Sequence, residues 1–96
     1  MRKYEIMFIV RPTLSEEDVK AVTKKFADII TSNGAKITEE TNMGQRELAY
    51  EIKDFKTGFY YLINLEAADD KAISEFDRQA KNTNDVIRHL ITRIED

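Results

Sequence analysis

The sequence contains no cysteine, only three glycines, one proline and one histidine in 96 residues. The lack of cysteine excludes disulfides and thiolate metal sites, and nothing indicates an oxidising compartment. The scarcity of glycine and proline leaves no stretch that resembles a linker or a low-complexity tail. We therefore expect residues 1–96 to form a single domain, whose size allows a core without covalent cross-links.

Long apolar runs are also missing, and none approaches the ~20 residues that a membrane-spanning helix needs. The N-terminal stretch "MRKYEIMFIV" has a basic pair before apolar residues, as a signal peptide does. However, Glu5 interrupts it, and Arg11 and Pro12 end it without a small-residue cleavage site. The stretch is predicted to be a strand, and the protein is predicted to be cytoplasmic.

The sequence offers little for catalysis. His89 has no second histidine, no cysteine and no carboxylate cluster at ligand spacing near it in sequence, so a packed histidine is the preferred interpretation. The loop "RPTLS" after the first strand lacks the glycine that lets backbone N–H groups approach a phosphate. We expect no enzymatic activity, no metal site and no cofactor.

Apolar periodicity predicts six elements in the order strand, helix, strand, strand, helix, strand. The predicted strands cover residues 4–10, 36–53, 59–67 and 86–94, and the predicted helices begin at Ser15 and at Asp69-Asp70. The first helix is expected to end at Asn33-Gly34, and "DFKTG" is expected to form the turn between the middle strands. Two split βαβ units then give a ferredoxin-like α+β sandwich, with a four-stranded antiparallel sheet of order 4-1-3-2 and both helices on one face.

The second strand changes parity along its length. Ile37 points to one side, whereas Leu48, Tyr50 and Ile52 fall at the opposite parity. A bulge at Gly44 is therefore expected to bring all four onto one buried face.

On the third strand, Phe59, Tyr61, Ile63 and Leu65 form the more apolar set, and burying them keeps Asn64 and Glu66 out of the core. Tyr60 and Leu62 then lie on the open face, next to Met7 and Ile9 of the first strand. This apolar patch is a candidate partner surface. The alternative is that these side chains only pack against their cross-strand neighbours, as such pairs do on many monomeric proteins.

An RNA-recognition motif uses the same fold, and "KTGFYYLI" loosely resembles its third-strand signature. Stacking on bases would place Phe59 and Tyr61 on the open face, against the parity argument. Tyr60 also stands where the signature has a small residue. We reject this alternative.

Basic residues gather at one end of the predicted sheet. The adjacency of the first and last strands brings Arg2, Lys3 and Arg93 together, and we expect Tyr4 and His89 nearby. Cations beside an aromatic ring can bind RNA, with the cations on phosphates and the ring stacked on a base. The alternative is an ordinary solvated strand end that Glu95 and Asp96 neutralise, and the net charge of −3 does not favour nucleic acid.

The chain resembles the bacterial small-subunit ribosomal protein six family, the S-six family, over its whole length. The segments that carry the resemblance are "MRKYEIMFIVRP", "NGAKI", "GQRELAYEI", "GFYYLINLEA" and "NDVIRHL". The resemblance implies a structural protein of the small ribosomal subunit that binds the central domain of the small-subunit rRNA. It also implies a heterodimer with ribosomal protein S-eighteen, a small basic protein that would cover the open face.

The candidate site residues come from two kinds of argument, the predicted positions in the sheet and the family resemblance. Arg2, Tyr4, Arg46 and Tyr50 match motif positions, whereas Arg93 comes from strand adjacency alone, and Arg88 suits either surface. The candidate rRNA-binding residues are Arg2, Lys3, Tyr4, Arg46, Arg88 and Arg93. The candidate partner-binding residues are Met7, Ile9, Tyr50, Tyr60 and Leu62.

One feature departs from the family, because many members extend further after the fourth strand, often with an acidic tail, whereas this sequence stops at Glu95-Asp96. A second function class also stays open, namely a protein-interaction module on the same fold that does not bind RNA.

Overall fold

The protein folds as two helices packed on one face of an antiparallel sheet. The computed structural model describes residues 2–95, with side chains described as far as Ile94. The elements are β1 (Arg2–Val10), α1 (Glu16–Ser32), β2 (Lys36–Ile52), β3 (Phe55–Ala67), α2 (Lys71–Lys81) and β4 (Val86–Glu95). The four strands lie in the order β2-β3-β1-β4, which is the predicted order read from the other edge, so the predicted fold is confirmed.

The core lies between the helices and one side of the sheet. Three phenylalanines, Phe8 of β1, Phe26 of α1 and Phe76 of α2, form its centre, with ring centroids 5.2–5.8 Å apart. Ile63 and Leu65 of β3 are also buried there, as the parity argument predicted. Each element thus contributes the apolar set that its own periodicity selects.

The first helix begins and ends where the sequence predicts. The hydroxyl oxygen of Ser15 accepts a hydrogen bond from the Asp18 N–H at 3.2 Å, and three acidic residues occupy the first turn. Gly34, with φ 93°, follows the C-cap residue Asn33 and adopts a left-handed conformation that costs glycine little. Among the described residues, no helix is long and apolar enough to cross a membrane.

The turn between β2 and β3 is shorter than predicted. Ile52 pairs with Phe55, so only Lys53 and Asp54 form the turn, and β3 begins at Phe55 rather than at Phe59. Both turn residues have positive φ, 50° and 69°, which is the backbone of a type I′ hairpin turn. The prediction of a turn at "DFKTG" was therefore wrong, because Gly58 lies within the strand.

β2 contains two single-residue register shifts where one was predicted. One lies between Asn42 and Gly44, as expected, and the other lies between Ile37 and Glu39. Two shifts restore the original parity, because each inserts one residue. Ile37 therefore packs against the core, while Leu48 lies on the opposite side of the sheet. The predicted common buried face is wrong.

Tyr61 of β3 joins the core to the edge strand. Its ring centroid lies 5.5 Å from that of Phe8, and its hydroxyl donates a hydrogen bond of 3.0 Å to the Glu40 carboxylate. Burial, together with the hydrogen bond and the negative charge of Glu40, raises the pKa of Tyr61 to about 12. The folded protein therefore favours the neutral phenol more strongly than the unfolded chain does.

This shift predicts a loss of stability in alkali. A raised folded pKa contributes stability that is complete below the unfolded value of 10.0 and is lost as the pH rises towards about 12. Tyr61→Phe should lower the free energy of unfolding at pH 7 by about 0.5–1.5 kcal/mol, for the lost hydrogen bond. The variant should lose less stability than the wild type between pH 10 and 12, as measured by urea unfolding. Parallel pH profiles would show that Tyr61 is not the responsible group.

Candidate functional site

The sheet face opposite the helices, the open face, consists of four rows that run across the strands. In strand order β4, β1, β3, β2, the first two rows are Arg88-Ile9-Tyr60-Gly44 and Leu90-Met7-Leu62-Thr41. The next two rows are Thr92-Glu5-Asn64-Glu39 and, from β1 to β2, Lys3-Glu66-Lys36. The first pair of rows is apolar at its centre, and the second pair is polar with three carboxylates. The open face is thus divided into an apolar half and a polar half.

The predicted apolar patch is present as a continuous surface. Met7 pairs with Leu62, and Ile9 pairs with Tyr60, so these four candidate partner residues are direct cross-strand neighbours. Met7, Tyr60 and Leu62 are half-buried, but Ile9 is only 2% exposed. Ile9 therefore supports the surface from beneath and contributes almost none of it.

Leu90 and Leu48 also belong to the apolar half, although neither was predicted to be a site residue. Leu90 pairs with Met7 and is 51% exposed, which makes it one of the largest exposed apolar side chains of the described residues. Its parity along the fourth strand was a usable signal, but only once its register with the first strand was known. Leu48 reaches this surface because of the double register shift described above.

Gly58 explains why Ile9 is so deeply placed. A Cβ atom at Gly58 would lie 2.3 Å from Cγ2 of Ile9 and 3.2 Å from the Val10 carbonyl oxygen. Only glycine lets the Ile9 side chain rest on the backbone of β3 at this point.

A segment of β2 crosses over the apolar half, and we call residues 48–51 the strap. The pairing of β2 with β3 passes from Glu47–Thr57 to Ile52–Phe55, so the strap stands opposite Lys56 alone. The strap, together with Ile52, lines one side of a small open pocket of about 110 Å³ over the apolar rows. Tyr50, 62% exposed, contacts Arg88. The chain thus covers part of its own open face.

The predicted basic end of the sheet is partly confirmed. Arg2 pairs with Ala67, Lys3 pairs with Glu66, and Tyr4 pairs with Arg93, so Arg2, Lys3 and Arg93 do lie at one end. The Lys3 position also lies close to Glu39 and Glu66, so this end carries both signs of charge. Asp96 and the side chain of Glu95, which were expected to neutralise it, lie outside the described residues.

Two aromatic residues were expected to assist RNA binding at the basic end, but Tyr4 is buried there and His89 lies elsewhere. Tyr4 is only 6% exposed and packs in the core, so its ring is not accessible for stacking on a base. His89 pairs with Phe8 in the middle of β4, and its Nε2 atom lies 2.7 Å from Oδ1 of Asp77 in α2. The expected positions of Tyr4 as a stacking group and of His89 near Arg93 were therefore wrong.

The remaining candidate cations, Arg46 and Arg88, lie in the other half of the sheet. Arg46 pairs with Gly58 and donates a hydrogen bond of 3.2 Å to the Met43 carbonyl. Arg88 lies on the open face, where it contacts the strap. The candidate rRNA residues thus divide into two separate groups.

The cluster around His89 ties α2 to β4. Asp77 also forms an ion pair of 2.8 Å with Lys81, and the imidazole ring packs edge-on against Phe76. Lys81, and after it His89, hold the pKa of the Asp77 carboxylate below its usual value. Among residues 2–95, no group of three or more histidine and carboxylate side chains is placed to hold a metal. The contacts of this cluster hold the helix α2 against the strand β4.

The orientation of β3 decides against the RNA-recognition motif. Phe59 and Tyr61 both pack against the helix-covered core, so neither ring is presented on the open face. The rejection of that alternative is confirmed.

Comparisons with known proteins agree with this architecture. The family model of ribosomal protein S6, the S-six family, matches residues 3–93. The crystal structure of 30S ribosomal protein S6 from Thermotoga maritima superposes with a TM-score of 0.93 at 32% identity, covering 97% of this chain and 87% of that one. The solution structure of the C-terminal domain of the MgtC protein from Mycobacterium tuberculosis has a TM-score of 0.66 at 11% identity, covering 99% and 89%, and shares the fold alone. The chain belongs to the ribosomal protein S6 family, and it is a protein of the small ribosomal subunit.

Proposed function

We propose that this chain is a structural, non-catalytic component of the cytoplasmic ribosome, and that it binds the central domain of the small-subunit rRNA as a heterodimer with ribosomal protein S-eighteen. The family membership supports the ribosomal role. The observation that carries the heterodimer is the open face, where two apolar rows lie uncovered by either helix. Large exposed apolar patches on small proteins are commonly interaction sites.

The charges beside the apolar rows favour a basic partner. Glu5 and Glu39 lie in the row next to Met7 and Leu62, whereas Glu66, in the row after it, pairs with Lys3 and Lys36. A basic protein seated on the apolar rows would bring its cations towards these carboxylates, which favours association and orientation. In this proposal, Met7, Tyr60 and Leu62 contact the partner and Ile9 supports them from below, whereas Tyr50 lies on the strap that covers part of these rows.

The basic end is the proposed rRNA contact. Because the protein has a net charge of −3, it has little long-range attraction for a polyanion on its own. A basic partner supplies that attraction, and Arg2, Lys3 and Arg93 then contact phosphates locally. This division predicts weak binding of the isolated chain to rRNA and strong binding of the heterodimer.

A three-component binding assay tests the proposed function. The purified chain, purified ribosomal protein S-eighteen and a fragment of the rRNA central domain are mixed pairwise and together, and complexes are measured by sedimentation. We expect a heterodimer without RNA, and a ternary complex far tighter than either binary RNA complex. A heterodimer that never recruits the RNA would favour the alternative of an interaction module without RNA binding. Absence of the heterodimer would contradict the proposal.

The salt dependence of the ternary complex tests the basic end. Replacing Arg2 and Arg93 by Ala should flatten the slope of log K against log salt by about one to two units, since each phosphate contact contributes roughly 0.7 to 0.9. Lys24→Ala with Lys25→Ala is the matched control, because it removes the same charge from the exposed surface of α1. An equal flattening by both pairs would show a general charge effect. An unchanged slope with lost heterodimer would place the protein interface at the basic end.

A further inference from the structure

The strap joins the two opposite edges of the sheet. Tyr50 belongs to β2 and Arg88 to β4, and these strands are separated by β3 and β1. Three strand spacings amount to about 14 Å, so a contact between the two side chains has to pass over the open face. The Nη1 group of Arg88 donates a hydrogen bond to the Tyr50 hydroxyl, and the guanidinium carbon lies 5.9 Å from the ring centroid. We call this contact the clasp.

The strap has the features of a segment that opens at low cost. Its four residues stand opposite a single residue of β3, so the regular ladder is interrupted along its length. Ala49, Tyr50 and Glu51 are exposed, and Leu48 alone among the four is half-buried. Segments with few buried apolar contacts and an interrupted ladder open locally at free energies well below that of global unfolding.

The surface beneath the strap is the apolar half of the open face. The other side of the pocket that the strap lines is formed by Met7, Ile9, Tyr60 and Leu90, which belong to both apolar rows. Lifting the strap would expose these side chains to water, at a cost that another apolar surface offsets. The strap and a docked partner therefore occupy the same place.

We propose that the strap is an intramolecular cover that competes with ribosomal protein S-eighteen for the apolar rows, and that the Tyr50–Arg88 clasp holds it closed. This inference rests on the proposed function, because it assigns a regulation to the same surface. When only the open form binds, the apparent dissociation constant equals the intrinsic constant divided by the open fraction. Weakening the clasp therefore tightens partner binding.

A thiol-labelling experiment measures strap opening without any partner. The natural sequence has no cysteine, so a single Ile9→Cys thiol is the only reactive one. Its labelling rate reports the open fraction when closing is fast relative to labelling. Met7→Cys is the second reporter, for use if Ile9→Cys folds poorly. Ala72→Cys is the control, because Ala72 is a buried residue of α2 in the core on the other side of the sheet from the strap.

Two variants that leave the net charge unchanged, Tyr50→Phe and Arg88→Lys, should weaken the clasp. Each should raise the labelling rate at Cys-substituted position 9 by about threefold to tenfold, which is the effect of losing a hydrogen bond or a cation–π contact. The Ala72→Cys rate should stay unchanged. Without the reporter thiol, the same two variants should tighten binding of purified ribosomal protein S-eighteen by a similar factor, as measured by calorimetry.

The remaining outcomes distinguish a failure of the strap proposal from a failure of the proposed function. Unchanged labelling in both variants would overturn the clasp. Faster labelling with weaker partner binding would overturn the competition, and would make the strap part of the docking surface. If ribosomal protein S-eighteen binds neither the wild type nor the variants, the proposed function and the competition are both wrong, while the labelling rates still decide whether the clasp holds the strap closed.

Discussion

Phe26→Ala is expected to destabilise the protein by about 3–5 kcal/mol, the largest effect of any single substitution considered. Phe26 is 1% exposed, and its ring lies 5.4 Å from that of Phe8 and 5.2 Å from that of Phe76. Removing it leaves a cavity at the point where both helices meet the sheet, and rigid neighbours from three elements fill such a space poorly. Ile30→Ala, one turn further along α1, should cost about 2–5 kcal/mol for the same reason.

Leu62→Ala and Met7→Ala serve as controls on the other side of the sheet. Both side chains are half-buried on the open face, where water replaces part of the lost contact, so we expect losses of about 1 kcal/mol or less. Urea unfolding of the isolated protein, followed by circular dichroism, gives all four values. Equal losses on the two faces would contradict a sheet that is covered on one side only.

The fold was predictable because every element except the second strand keeps a single clear period along its length. Ile63 and Leu65 fall on one side of the third strand, and Asn64 and Glu66 fall on the other, so the cost of burying the polar pair decides the orientation. The same parity places Tyr60 and Leu62 on the open face beside Met7 and Ile9. Local pattern and strand pairing agree here, so the neighbours Met7–Leu62 and Ile9–Tyr60 were predicted, whereas Leu48 and Leu90 were missed.

The strap was not predictable, because the hairpin turn at Lys53 and Asp54, which fixes the pairing of β2 with β3 beside the strap, lacks the residues that usually mark such a turn. Hairpin turns of this type are normally signalled by Asn-Gly or Asp-Gly, whereas Lys53 and Asp54 adopt positive φ without a glycine. Gly58, the nearest glycine, is required for close packing under Ile9 and not for a turn. Because the turn was predicted at "DFKTG", no sequence signal indicated that residues 48–51 of β2 would lie opposite Lys56 alone.

Two residues expected at the basic end, Tyr4 and His89, were predicted wrongly. Tyr4 alternates with Ile6 and Phe8, so its own periodicity predicted burial, and the structure buries it. Its expected place beside Arg2, Lys3 and Arg93 suggested a stacking role that this burial prevents. His89 was misplaced for another reason: it lies four residues before Arg93 on one regularly paired strand, which separates the two by about 13 Å along the extended backbone.

A charge at the centre of the apolar rows is expected to weaken the heterodimer by about 100-fold. Leu62 lies between Met7 and Thr41 on the open face, so Leu62→Glu would bury an unpaired carboxylate beneath a docked partner. In the isolated protein the same carboxylate remains hydrated. Thermal unfolding of the variant should therefore stay close to that of the wild type, while calorimetry with ribosomal protein S-eighteen shows the loss.

Asn64→Glu is the matched control for this prediction. Asn64 lies two residues further along β3, on the same face, in the row that already holds Glu5 and Glu39. Both variants add one negative charge, so both attract a basic partner equally at long range. A loss confined to Leu62→Glu isolates desolvation at the apolar rows as the cause. Equal losses would indicate that charge, and not apolar contact, governs the interface, and unchanged affinity in both variants would move the interface away from the open face.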